Sequence, residues 1–392
     1  MTPQARVQAA IEILDEVIAS ARRGGAPADR VITEWFRTRR FAGSKDRRAV
    51  RELVYSAMRA CGAVPETGRA ALLRLAQGDA ALPPLFDGSR HAPAPIEAGE
   101  QPAEAGIAPR WLEQRLAVSG ITGEAAQALL SRAPLDIRVN ALKADRATLA
   151  LPEAGEPLLA PQGLRYPANT PVEQWDAYQA GQIEVQDGGS QLTCLAVDAR
   201  GGETVVDLCA GGGGKTLALA ASMGNRGQLI ACDVDRARLS RLAPRAERAG
   251  VIIAQTLLMN PNREREALAP FLGKADAVLI DAPCSGTGTW RRQPEGRWRL
   301  TEAELARVTG IQSRLLDLAV ELVKPGGRII FVTCSLLDEE GAGQFTAFLA
   351  RQPRMQAETL TIAAGEPRGG GLRFSPLSDG TDGFFVARAR LL

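Results

Sequence analysis

Two cysteines stand where short apolar runs end. Cys284 lies in Asp281-Ala-Pro-Cys-Ser-Gly-Thr-Gly-Thr-Trp-Arg-Arg292, directly after Ala277-Val-Leu-Ile280. Cys334 closes Arg328-Ile-Ile-Phe-Val-Thr-Cys and is followed by Ser335. Such runs predict buried strands, and open α/β sheets bind ligands outside the carboxyl ends of their strands. Both thiols, with Asp281, are therefore expected on one rim, where covalent thiol chemistry is possible. The other cysteines are Cys61, Cys194, Cys209 and Cys232. No CxxC pair occurs, which argues against a zinc site. Cys61, Cys194 and Cys232 read as small buried hydrophobes. The single histidine, His91, argues against a Ser-His-Asp or metal-histidine mechanism.

A glycine-rich turn precedes both thiols: Val206-Asp-Leu-Cys209-Ala210-Gly211-Gly212-Gly213-Gly214-Lys215-Thr216. Glycines let backbone approach a ligand closely, and a following helix N-terminus offers free NH groups. A P-loop would need glycine at Cys209, so that pattern fails. A dinucleotide fingerprint fits only by forcing. The third reading is S-adenosylmethionine. Asp233, roughly 20 residues on, ends the second strand where an acid can accept hydrogen bonds from a ribose diol. Asp207 either orients the turn or meets the cofactor's amino group, and Cys209 contributes backbone only.

Several elements must position these residues. Residues 1–78 read as a helical domain, with Ala9, Ile13, Leu14, Val17 and Ile18 at helical spacing and Ser44 as an N-cap. From Arg22 to Arg59 eleven Lys/Arg face four Asp/Glu, although the whole chain carries only +2. Such a cluster suits a phosphate backbone; a solvated helix face is the plainer reading. Prolines make residues 79–110 a linker or extended surface segment. Residues 111–182 combine helical spacing with a small α+β subdomain, whose Arg138, Asn140 and Lys143 are candidate RNA contacts. Residues 183–392 alternate strand and helix, which predicts a parallel, doubly wound sheet. Expected there are a helix from Arg236 to Ala249 bent by Pro244, a strand Val251-Ile-Ile-Ala, a helix from Asp338 to Leu349 and a late strand from Phe384. With 392 residues, two or three domains are expected. No apolar run approaches the ~18 residues that cross a membrane, and the first residues lack the apolar core of a signal peptide. Cytoplasmic localisation and the absence of a membrane or metal partner follow as expectations.

Five motifs together resemble the RsmB/Sun-type RNA cytosine-5 methyltransferases. They are Val185-Gln-Asp-Gly-Gly-Ser-Gln191, Asp207–Thr216, Asp281–Thr289 with Arg291 and Arg292, Thr333-Cys-Ser335, and Gly380-Thr-Asp-Gly-Phe-Phe385. The resemblance implies a class I, Rossmann-like methyltransferase domain using S-adenosylmethionine, a NusB-like N-terminal domain and an RNA substrate, ribosomal before transfer RNA. A monomeric enzyme is the accompanying expectation. Two departures stand out: the family usually carries proline at Gly212, and an acid near Asn260, which here takes the adenine-side contact.

The resemblance also implies a mechanism. Carbon 5 of cytosine is a poor nucleophile until a thiolate adds to carbon 6. The resemblance makes Cys334 that nucleophile and Cys284 the thiol that assists release. The residues alone leave the order open, since DNA cytosine-5 methyltransferases use a Pro-Cys thiol, the setting of Cys284. Asp281 would hydrogen-bond the cytosine edge, and Lys215 would hold the pyrimidine or favour a thiolate. Arg291 and Arg292 read as phosphate contacts, and Trp290 and Trp298 as either base-stacking or core residues. Two other readings remain: a non-catalytic RNA-binding assembly factor, and an amino-group methyltransferase that would need no thiol.

Overall fold

The computed structural model describes residues 1–39 and 42–392; Arg40 and Phe41, part of the basic stretch, lie outside the described residues. Two compact units form: Met1–Ser131 with Thr289–Thr301, and Arg132–Gly288 with Glu302–Leu392.

The first unit is helical. Helices Pro3–Arg22, Ala28–Thr38, Ser44–Ala60 and Gly68–Ala76 bury Ile13, Leu14, Ile32, Val50, Val54 and Leu72 in one core. Thr2 and Thr67 cap two of them by accepting the amides of Ala5 and Ala70. Ser44 is the first helical residue rather than the N-cap, which is Gly43. The proline-rich segment stays mostly irregular, but Leu82, Phe86 and Ala103 join the helical core. Helices Arg110–Val118 and Gly123–Ala128 belong to this unit, not with the α+β elements that follow.

The segment after the first thiol motif also belongs here. Glu295 accepts the Ala28 amide at 2.9 Å, at the start of the second helix. Arg297 donates to the carbonyls of Met58 (2.5 Å) and Cys61 (2.7 Å), at the end of the third. An acid at a helix N-terminus and a cation at a C-terminus satisfy orphaned backbone groups and complement the dipole. Trp298 lies in the helical core and Trp290 is fully buried, so both are packing residues rather than base platforms. Arg291 is also buried, which corrects its reading as a phosphate contact.

The second unit holds two sheets. Strands β1 (Leu135–Val139), β2 (Glu156–Pro157), β3 (Gly163–Tyr166) and β4 (Ile183–Val185) form a small antiparallel sheet in the order β2-β3-β1-β4. The main sheet contains β5 (Thr204–Asp207), β6 (Gln228–Asp233), β7 (Ala254–Leu258), β8 (Ala275–Asp281), β9 (Val323–Thr333), β10 (Met355–Glu358), β11 (Glu366–Arg368), β12 (Gly371–Phe374) and β13 (Phe384–Leu391). Its order is β11-β12-β13-β9-β8-β5-β6-β7, with β10 also paired to β13. β5 to β9 pair in parallel, as expected. β10 to β13 are antiparallel, so the sheet is mixed. The short connection between β12 and β13 permits only antiparallel pairing, because a parallel return needs a long crossover.

Three local expectations also need correction. The third parallel strand is β7, beginning at Ala254, and Ile252 is exposed where a strand was expected. The helix expected from Arg236 to Ala249 is two helices, Arg236–Leu239 and Leu242–Ala249; Pro244 sits in the first turn of the second, where a missing NH costs little. The expected helix from Asp338 is a 3₁₀ turn, Asp338–Glu340, then the helix Ala342–Arg351.

Candidate active site

Adjacent parallel strands β8 and β9 deliver the two thiols. Asp281 is paired in register with Val332, and the Ala282 amide donates to the Val332 carbonyl at 2.9 Å. Both chains then leave the sheet at one rim. The Sγ atoms of Cys284 and Cys334 are 3.3 Å apart. Hydrogen bonding to Cys334, burial and the charges of Cys334 and Glu340 push the Cys284 thiol well above its usual range.

Lys215 meets the same rim from the helix Gly214–Ser222. Its Nζ donates to Asp281 Oδ2 at 2.7 Å and lies 5.4 Å from the centre of the Phe384 ring. Burial opposes its charge, but the charges of Asp281, Cys194 and Cys334 outweigh it and raise the ammonium above its ordinary value. A cation that stays protonated thus stands in the field of Cys334.

The glycine turn joins β5 to the helix Gly214–Ser222 at the point where strand order jumps from β8 to β6 across β5. Gly213 has φ +85°, and a Cβ there would lie 2.7 Å from Leu242 Cγ. Gly214 faces open space, where a Cβ would meet nothing within 4 Å. Asp233, at the end of β6, accepts the Gly211 amide at 2.8 Å and the Asp235 amide at 2.8 Å. Gly212 passes its carbonyl to Arg245, and Arg245 pairs with buried Glu184 at 2.9 Å. Ala210 is held by its amide on the Cys232 carbonyl at 2.8 Å, while Cys209 is half-buried before it. Asn260 is exposed just past β7, beside Met259, whose amide donates to the Asp233 carbonyl. An open backbone cradle, a helix N-terminus and an acid bonded into the turn fit a nucleoside cofactor with a charged tail.

Asp207 is fully buried, with Thr216 donating to its Oδ2 at 2.7 Å. That placement suits the turn-orienting role of the two considered.

Other motif residues knit the unit together. Asp187 caps the helix Gly188–Leu195 and receives the Asp382 amide, joining two of the recognised motifs. The candidate RNA contacts on the small sheet are structural instead. Arg138 is buried and donates to Gln186 at 2.7 Å, Asn140 binds the carbonyls of Gly181 and Ala249, and Lys143 those of Ala180 and Arg248. Charged and amide groups on a half-buried strand found backbone carbonyls, which a linear sequence does not display.

Similarity to known proteins bears on the whole arrangement. Residues 194–390 match the family model "16S rRNA methyltransferase RsmB/F". The chain is 37% identical over 297 residues to ribosomal RNA small subunit methyltransferase B of Xylella fastidiosa, covering 71% of this chain and 68% of that one. The chain belongs to the RsmB/F family. It is an S-adenosylmethionine-dependent rRNA methyltransferase. The relative from Citrobacter koseri is 35% identical, with 71% and 65% covered, so the chain spans about two thirds of these relatives' length. Among solved structures, that of PH0851 aligns over 99% of both chains at 26% identity and TM-score 0.76. A methyltransferase homologue from Pyrococcus horikoshii aligns over 72% of this chain and 99% of its own, at 25% identity and TM-score 0.59. Among the described residues no helix is long and apolar enough to cross a membrane.

Proposed function

We propose that this RsmB/F member methylates carbon 5 of a cytosine in 16S rRNA through a transient bond between Cys334 and carbon 6. The observation that carries this reading is the pair of sulfurs 3.3 Å apart beside the Lys215–Asp281 ion pair. A chemistry without covalent catalysis has no use for two thiols converging on one rim. Cys334 is taken as the nucleophile on its Thr333-Cys-Ser335 motif, with the Lys215 ammonium bound to Asp281 on the same rim. Cys284, whose thiol is raised above its usual range, would after losing its proton to solvent be the base that takes the carbon 5 proton as the bond from carbon 6 to Cys334 breaks.

The bound cofactor supplies an electrophilic methyl group. Gly211 to Gly214 would admit it backbone-first, Cys209 and Ala210 would line the turn, Asp233 would hold its ribose and Asn260 its adenine side. Asp281 is positioned to hydrogen-bond the cytosine edge, and Lys215 holds that carboxylate in place. The target base must leave its stack to reach such a rim. The helical unit, read as NusB-like and RNA-binding, supplies arginines for the backbone; a monomeric, cytoplasmic enzyme completes the proposal.

The test is methyl transfer from labelled S-adenosylmethionine into unmodified 16S rRNA. Label should appear in cytosine and vanish with Cys334→Ala. Cys284→Ala should instead accumulate an RNA adduct stable to denaturing gels. Exchange of these two outcomes would exchange the thiols' roles, and label in transfer RNA alone would refute the substrate.

A further inference from the structure

One buried carboxylate ties the two thiol loops together. Glu340 lies in the 3₁₀ turn Asp338–Glu340, seven residues beyond the end of β9, and is 0% exposed. Its Oε1 accepts the Ser285 amide at 2.7 Å and the Gln312 side chain at 3.2 Å. Its Oε2 accepts two hydroxyls, from Ser285 and, at 2.5 Å, from Ser335. Ser285 is the residue after Cys284, and Ser335 the residue after Cys334. The same Gln312 also binds the Pro283 carbonyl at 2.9 Å, on the other side of Cys284. Thr287 Oγ1 lies 3.0 Å from Ser335 Oγ and accepts the Leu336 amide at 2.9 Å. Cys284 is thus bracketed by contacts that converge on one side chain, and the same side chain holds the residue after Cys334.

All these partners are uncharged. Burying a carboxylate among neutral groups is costly, and burial raises the Glu340 carboxyl above its ordinary value against the pull of four hydrogen bonds. A cheaper core would place an apolar residue here. Such a group is expected where a reaction needs its position or its charge.

We propose that Glu340 is a positioning residue that sets the two thiols at contact distance by tying the residue after Cys284 to the residue after Cys334. Its charge also opposes a thiolate at Cys284. This inference rests on the cysteine mechanism proposed above, deepening it without adding a step.

The experiment uses the full chain with Glu340→Gln, which keeps the size and removes the charge. Each thiol's alkylation by iodoacetamide is followed against pH, peptide by peptide, in a mass spectrometer, with no RNA present. In the wild type Cys284 should be alkylated slowly near neutral pH. In Glu340→Gln the Cys284 midpoint should fall, and its alkylation near neutral pH should quicken about threefold or more. In parallel, kcat should drop by about tenfold or more with KM for RNA and cofactor affinity nearly unchanged. Unaltered alkylation profiles together with wild-type kcat would overturn the proposal. Should Glu340→Gln fail to fold, Ser335→Ala removes one tether and leaves the charge. It should lower kcat about fivefold, with recovery in Ser335→Thr; wild-type kcat in Ser335→Ala would equally overturn the role. If methylation survives replacement of both thiols by alanine while Glu340→Gln still shifts Cys284 in the otherwise intact chain, the covalent mechanism fails and the positioning role stands.

Discussion

Asp207 shows how a single buried group can govern pH behaviour. Its carboxyl is fully enclosed, and one oxygen takes the Thr216 hydroxyl. Burial pushes it up to about 7, with the nearby Asp281 charge adding and the Thr216 bond opposing. In the unfolded chain a carboxyl titrates near ~3.9. The folded state therefore binds this proton more tightly. The stability it contributes is complete below about pH 4, declines as pH rises towards about 7, and changes no further above that. Asp207→Asn should remove this slope. The unfolding free energy of wild type relative to the variant should fall by about 1–3 kcal/mol from pH 5 to pH 8 in urea titrations. At this scale much of the site was readable. Cys284, Cys334, Asp281 and Lys215 meet because their motifs each sit at the carboxyl edge of an adjacent element. Glu340 was not readable, because nothing in Asp338-Glu-Glu340 tells which of three acids turns inward. Only the packed turn decides it.

Among the elements, the cofactor turn is shaped by its neighbours as much as by its glycines. Gly213 needs its positive φ and abuts Leu242, so Gly213→Ala combines backbone strain with a clash. It should weaken cofactor binding about tenfold or more, measured by calorimetry, whereas Gly212→Ala should be mild. The milder expectation follows because Gly212 is not among the positive-φ glycines and its added Cβ would lie 3.4 Å from Arg245. Glu184 anchors the clamp behind this turn, pairing with both Arg245 and Arg248. Glu184→Ala should destabilise by about 2–4 kcal/mol in chemical denaturation, because two partly buried guanidinium groups lose their counter-charge. The clamp spans residues from β4 to the helix Leu242–Ala249, too far apart for sequence pattern to link. The same limit explains the misplaced third strand. Val251-Ile-Ile is more apolar than β7, but pairing with β6 selects Ala254–Leu258. Local composition reported hydrophobicity, and register was decided by the neighbouring strand.

At the scale of the whole molecule, the helical start and the strand-helix alternation of the C-terminal half could be read directly from periodicity. The grouping of residues 289–301 with the first 131 could not, because domain readings assume contiguous chain. Yet Glu295 and Arg297 complete the ends of two N-terminal helices. A fragment ending at residue 131 should melt below the corresponding unit of the full chain by about 4–8 °C per kcal/mol lost. A peptide of residues 289–301 added to that fragment should raise its melting temperature, and no change on addition would show these contacts to be energetically idle. The same insertion bears on how the protein is made. As the chain emerges from the ribosome at about 5–20 residues per second, the first helices appear early but wait for their last helical turn, Gly296–Arg299, until all four strands of the small sheet and four of the main sheet, β5 to β8, have been synthesised. The first unit to be translated is therefore among the last to be finished, and a nascent chain that stalls before residue 301 presents incomplete helices to the cell's quality control.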